Sequence, residues 1–302
     1  MLWIVLVIIV AISSALIAFT DNYIADVCFK GRLPQAYKVM GGFTYSILTI
    51  IIAIIFPPIT IPAIAALMFV LSGILSSLNS IPYFNALSSE NTTSTAIFIQ
   101  LTPIIYLIAG WALLGDNITP LQIIAFLVIL IAPIIVIASS PKRNKKRQLK
   151  SSLFLIAYVV LAAASNLIFL LYLDEVPFMT AFFCYCLGKA LSDGMLTLAF
   201  KRYRIRFKQA LKGQSFRVIF TILIDQVFSL GTDLTYRVAL SLAPVAIVSV
   251  SANALQLIAT FILGIILTIL WPNFGREKLT KKMVTAHFFA TAVAVVGIIL
   301  LQ

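Results

Sequence analysis

The sequence predicts an all-α integral membrane protein of ten transmembrane helices, arranged as two inverted five-helix repeats around a central cavity. Composition, the length of the apolar runs and an internal repeat predict it. Of 302 residues, 62% are hydrophobic and 11% charged, and the mean hydropathy is +1.09, far above what a water-soluble domain carries on its surface. A helical span takes about 20 apolar residues. Ten spans use about 200 of the 302 residues, which leaves no room for a soluble motor domain. No G-x-x-x-x-G-K run offers a nucleotide cradle. The runs are continuous rather than alternating, so they read as helices and not as barrel strands.

Apolar runs bounded by Pro, Gly or charge place the spans near residues 3 to 25, 37 to 56, 62 to 87, 93 to 114, 120 to 139, 152 to 173, 178 to 199, 216 to 241, 245 to 270 and 282 to 301. The first run begins at once, without a basic n-region or an A-x-A-like site after it, so it is expected to be retained as a helix. Cys184 and Cys186 lie two apart on one span and point away from each other, which predicts free thiols.

The net charge of +12 is not spread evenly. Lys30, Arg32 and Lys38 follow span 1, six basic residues lie from Lys142 to Lys150, seven from Lys201 to Arg217, and four from Arg276 to Lys282. Only Lys189 and Arg237 fall inside spans. The four clusters follow spans 1, 5, 7 and 9, hence one face of the membrane, and the positive-inside rule makes that face cytoplasmic with both termini outside. The clusters read as topology signal and attraction to anionic lipid, with no nucleic-acid partner. The expected location is the plasma membrane, as the inner membrane of a bacterium.

A shift of 153 residues lays the second half on the first, so that Tyr83, Ala86, Leu87 and Ser88 fall on Tyr236, Ala239, Leu240 and Ser241. Ser72, Ser76, Asn79 and Tyr83 in span 3 then match Asp225, Ser229, Thr232 and Tyr236 in span 8. Their spacing puts each set on one helix face. In the same register Ala96, Gln100 and Pro103 match Ser249, Asn253 and Gln256. The repeat divides the chain into a first unit at 1–141, a basic linker at 142–151 and a second unit at 152–302. Five helices is an odd number, so the tandem copies are inserted upside down relative to each other. Such repeats build secondary transporters with a substrate site near the midplane.

Ionisable residues inside spans are functional candidates by default. Lys189 sits near the middle of span 7, with Asp193 one turn on and Tyr185 and Ser192 flanking that face. Asp225 lies near the middle of span 8, on the repeated polar stripe, and Asp233 with Arg237 forms an i, i+4 pair read as near the interface. Asp225, Lys189 and Asp193 are the candidates for coupling to a proton or to a charged solute group. Asp21, Asn22, Asp26, Asp174 and Glu175 read as interfacial residues at helix ends, and so does His287. A small-residue ridge of Ala286, Ala290 and Ala294 on span 10 suits close approach to span 5 or to a second copy, the latter giving a homodimer through helices 5 and 10.

The ten-helix duplication, Y-x-x-A-L-S before spans 4 and 9, Gln100-Leu101-Thr102-Pro103, and Leu114-Gly115-Asp116 leading through Thr119 into Leu121-Gln122 resemble EamA-type members of the drug/metabolite transporter superfamily. The resemblance implies a basket of helices 1 to 4 and 6 to 9 around the cavity, with helices 5 and 10 peripheral. It implies carriage of small organic solutes such as amino acids, nucleotide sugars and other metabolites. The family usually has Glu where this chain has Asp116, and its termini usually face the cytoplasm, opposite to the charge map here.

The expected function is therefore a gradient-driven or exchange carrier of a small polar metabolite, not an enzyme, with no cofactor and no metal. One His excludes a multi-His metal site, no G-x-S-x-G occurs, and no filter loop suggests a channel. The alternatives are a flippase for a lipid or lipid-linked sugar and, behind it, an intramembrane enzyme. The expected binding residues are Ser72, Ser76, Asn79, Tyr83, Gln100, Lys189, Asp225, Ser229, Thr232, Tyr236, Asn253 and Gln256. With Lys189 and Asp225 both available, a zwitterion such as an amino acid is the leading substrate class.

Overall fold

The computed structural model describes residues 2–24, 33–87, 99, 102–114, 119–139, 145–174, 176–212, 216–270 and 281–301. These residues contain helices and no strand. In chain order the helices are α1 (Leu2–Tyr23), α2 (Leu33–Ile55), α3 (Ala63–Leu87), α4 (Thr102–Ala109, continued by a wider turn over Gly110–Leu114), α5 (Pro120–Ser139) and α6 (Lys145–Leu171). They continue as α7 (Phe178–Ala199), α8 (Lys201–Leu211), α9 (Phe216–Leu242), α10 (Val245–Leu270) and α11 (Lys281–Leu301). Among the described residues α1, α2, α3, α6 and α10 carry stretches long and apolar enough to cross a membrane.

The chain is apolar outside and polar inside. α1 turns Leu2, Val5, Ile8, Ile9 and Ile12 outward, and α2 does the same with Phe43, Ile47, Ile50 and Ile54, while Asp193, Asp225, Gln226 and Arg237 are buried. Water would penalise such a surface, whereas hydrocarbon accepts it and pushes polar groups inward. The distribution is that of a membrane-embedded protein.

Among the described residues the apolar runs and the helices coincide closely, with three differences, and the first part of the fourth run, before Thr102 except for Ile99, lies outside them. The basic segment after α7, read as a connection, is itself the helix α8, which is separated from α7 by the single residue Phe200 and packs on α2. Its exposed Lys201, Arg202, Arg204 and Lys208 leave it no apolar route across a bilayer. α6 begins at Lys145, within the stretch assigned to the linker, because Lys, Arg and Gln are good helix formers in water. α2 begins at Leu33, so Lys38 lies on a helix, 3% exposed, and not in a basic connection.

Small residues set the closest crossing. A Cβ on Gly73 of α3 would overlap the backbone carbonyl of Tyr185 on α7, and one on Gly188 would overlap that of Val70. The two glycines thus let α3 and α7 touch backbone to backbone, as small residues do between membrane helices. α3 also packs along α6, α1 along α9 and α10, α2 along α7, and α5 along α11, where Ala290 is buried. Cys184 and Cys186 are free and buried in α7.

Candidate functional site

A cavity of about 280 Å³ opens between the helices, lined by residues of α1, α2, α3, α4, α6, α7, α9 and α10. None of its described lining residues comes from α5, α8 or α11. The volume is at the small end of ligand pockets, which run from about 300 to 1,000 Å³. It is sized for a metabolite rather than a large conjugate.

Two buried charge clusters form its wall. In the first, Lys38 of α2 meets Asp193 of α7, with Nζ and Oδ1 2.9 Å apart and side chains 3% and 4% exposed. Lys38 also donates to the Ser77 hydroxyl at 2.7 Å and to the Ser77 backbone carbonyl, and the Ser77 hydroxyl donates to Asp193 at 2.5 Å. Gly41 makes room for this pair, since a Cβ there would lie 2.7 Å from Asp193 Oδ2. α2, α3 and α7 are tied together at this point.

In the second cluster Asp233 of α9 accepts from Lys189 Nζ at 3.0 Å and from the Tyr185 hydroxyl, and lies 3.6 Å from Arg237 Nε. Since the Tyr185 proton goes to Asp233, Ser76 must be the donor in its 2.6 Å bond with Tyr185. Lys189 Nζ stands 4.5 Å from the Tyr45 ring centre, and the Arg237 guanidinium carbon lies 3.8 Å from that of Tyr185 and 4.4 Å from that of Phe169. Each cation is thus held by a carboxylate and by aromatic faces. Arg237 also donates to Ser165 at 3.1 Å and is 1% exposed, so this pair is a core feature and not an interfacial one.

The structure gives Lys189 to Asp233 and Asp193 to Lys38, so the partner of each intramembrane charge on α7 comes from another helix. Asp225 is 3% exposed and stands outside the cavity wall, where its electrostatic neighbours include Asp21 and Tyr83. Ser76, Asn79 and Tyr83 of one stripe and Ser229, Thr232 and Tyr236 of the other do line the cavity, together with Asn253 and Gln256. Ser72 does not. It donates to the Ser165 carbonyl at 2.7 Å and holds α3 to α6. Gln100 lies outside the described residues.

Lys38, Asp21, Tyr45, Tyr158 and Gln226 also line the cavity and were not expected to. Asp21, expected at the interface, is 4% exposed. Only the burial of a helix's last turn could have marked it, and sequence periodicity does not report that. Among the described residues, Gln226 is fully buried with neither side-chain amide atom hydrogen-bonded, and Asp21 Oδ1 likewise has no hydrogen-bond partner. Buried polar atoms without partners are costly, so their presence on a cavity wall marks places where a bound molecule would be accepted. The described residues include no group of three or more His, Cys, Asp or Glu able to hold a metal ion.

No family model and no curated protein matches the chain. Among solved structures it is similar to one described as "Crystal structure of protein", with a TM-score of 0.60, 13% identity, and 97% of each chain covered. At that identity the likeness shows the fold alone.

Proposed function

We propose that the chain is a secondary transporter, gradient-driven or exchanging, that carries a small polar organic metabolite across the membrane by alternating access. The observation that carries this reading is the cavity itself. It is polar and charge-walled, buried among helices whose outer faces are apolar, and built from side chains of eight different helices. Burying Lys38, Lys189, Arg237, Asp193 and Asp233 together is expensive, and intramembrane charges of this kind mark solute and ion pathways.

In this reading α1 to α5 form one five-helix unit, α6, α7, α9, α10 and α11 form its inverted copy, and all ten cross the membrane, as in EamA-type carriers. The packing supports it. Matched by order, α3 against α6 corresponds to α1 against α9, and both are extensive contacts. On a two-fold axis a helix meets its own mate, as α2 meets α7 and α5 meets α11. The register of 153 pairs Gly41 with Gly194, and a Cβ on the adjacent Gly42 would lie 3.3 Å from the Gly194 nitrogen. The eight helices that line the cavity are the eight of the expected basket, with α5 and α11 outside it.

Lys189 and Asp233 stand on the wall as the groups that a charged solute would meet. Asp225, one layer behind, is the coupling candidate. The deciding experiment is thermal unfolding of the purified chain against amino acids, quaternary amines, nucleotide sugars and phosphorylated metabolites, followed by counterflow of any stabilising solute in proteoliposomes. Ligand at 100 times its Kd stabilises by about 2.7 kcal/mol. Stabilisation by one chemical class together with counterflow of that class bears the reading out. Stabilisation without counterflow, or only by lipid-linked compounds, overturns it, and the latter outcome favours a flippase.

A further inference from the structure

One construction occurs twice beside the cavity. Lys189 is held by Asp233 and the Tyr45 face, and Arg237 by Asp233 with Tyr185 and Phe169, so each of these two buried cations has a carboxylate and aromatic rings around it. The same set of groups occurs at a third place. Asp21, at the end of α1, has Tyr83 among its electrostatic neighbours, and Tyr83 lies against Tyr158 with ring centres 5.3 Å apart. All three residues line the cavity. Among the described residues, the groups that act on the Asp21 carboxylate are Asp225 and Tyr83, an acid and a phenol, rather than a Lys or Arg.

We propose that Asp21, Tyr83 and Tyr158 form the subsite for an organic ammonium group of the carried solute. This deepens the transport reading and rests on it. Three observations converge. Asp21 Oδ1 is buried and, among the described residues, has no hydrogen-bond partner, so the carboxyl group has an acceptor to offer. A second acid, Asp225 of α9, lies near it, so acidic residues of α1 and α9 gather at this end of the cavity. Two tyrosine rings beside it present the faces to which a desolvated cation is drawn. The donor set suits an organic cation better than a metal ion, which would want several convergent oxygens. Gln226 follows Asp225 in sequence and lines the same cavity with both amide atoms unpartnered, so the solute's hydrogen-bonding groups have a further contact.

Lys189 and Arg237 share the single Asp233, which leaves a local positive excess beside the cavity, where Lys189 and Asp233 line the wall. An ammonium at Asp21 and an anionic or hydrogen-bond-accepting group toward Lys189 would match the two charged regions.

The test uses the full chain in detergent and in proteoliposomes, with choline as probe and 3,3-dimethylbutan-1-ol as its neutral isostere. Choline should raise the melting temperature of the parent and the isostere should not. Asp21→Asn should weaken choline binding by about tenfold or more, and Tyr158→Leu by about threefold to tenfold. Asp21→Glu, which keeps the charge, should retain choline binding and guards against a folding defect in Asp21→Asn. Equal stabilisation by the isostere, parental choline affinity in Asp21→Asn, or no shift with choline, tetramethylammonium, ethanolamine or lysine would each overturn the subsite. A solute that exchanges across proteoliposomes in a Lys189-dependent way while ammonium compounds are ignored would overturn the subsite and leave the transport reading standing. Choline binding without exchange of any solute would overturn transport while leaving the subsite.

Discussion

Lys38 of α2 and Asp193 of α7 form a buried ion pair across 155 residues of sequence, 2.9 Å apart and closed by the Ser77 hydroxyl of α3. Neither end can reach water easily, so removing one charge strands the other. Lys38→Met should lower unfolding stability by about 3 to 5 kcal/mol, and the double variant Lys38→Met with Asp193→Leu should recover most of the loss. A double-mutant cycle on chemical unfolding in detergent measures it. A loss under about 1 kcal/mol in the single variant would mean that the remaining charge is solvated and the pair is not buried as described.

Asp233 has three partners, Lys189, Arg237 and Tyr185. Lys189→Met leaves Asp233 with Arg237 and Tyr185, whereas Asp233→Asn leaves two cations facing each other in the core. Asp233→Asn should therefore cost about 3 to 5 kcal/mol and Lys189→Met about 1 to 3. Thermal unfolding of the two variants side by side decides the order. The reverse order would assign Arg237 to another counter-charge.

The outline of the fold was legible because hydropathy reports directly on lipid contact. The helices α7 (Phe178–Ala199) and α10 (Val245–Leu270) fall on the residues that the apolar runs enclose. The stripes at Ser76, Asn79, Tyr83 and at Ser229, Thr232, Tyr236 were legible for the same reason, since helical periodicity aligned them on one face, and that face meets the cavity. Pairing was not legible. Asp193 lies four residues from Lys189, yet each is neutralised by another helix, because long side chains leaning across a helix crossing reach partners that no local spacing reveals. Lys38 was read as part of a basic connection and Asp21 as an interfacial helix-end residue, and only the way α2 and α1 pack shows their burial. The Gly73 and Gly188 crossing was equally silent, since a close backbone approach leaves no periodic trace.

That crossing gives a sharp contrast. A methyl group at Gly73 or Gly188 must push α3 and α7 apart, because the obstruction is backbone that cannot rotate away. At Gly194 and Gly231 nothing lies within 4 Å of the added carbon. Gly73→Ala and Gly188→Ala should each lose about 1 to 3 kcal/mol, the usual cost of overpacking, or fail to assemble. Gly194→Ala and Gly231→Ala should stay within about 1 kcal/mol of the parent and lean toward stabilisation, since Ala favours the helix. Melting temperatures of the four variants in one detergent check the pattern.

The charge map makes a prediction about orientation that survives the relocation of Lys38. With Lys38, Lys189 and Arg237 buried among the helices, 19 of the 22 Lys and Arg remain, all in the four basic clusters assigned to one face. α8 gathers four of the exposed ones, Lys201, Arg202, Arg204 and Lys208, immediately after α7. Lys and Arg beside spans resist translocation, so that face should be cytoplasmic. On a Cys28→Ser background, where Cys184 and Cys186 are buried in α7, a cysteine at the exposed Lys212 should escape an impermeant maleimide in intact cells and react once they are permeabilised. A cysteine at the exposed Asp174, at the other end of α7, should react in intact cells. Labelling of Lys212→Cys from outside would invert the molecule, place both termini in the cytoplasm as in the EamA-type arrangement, and show that buried charge outweighs the positive connections in setting insertion.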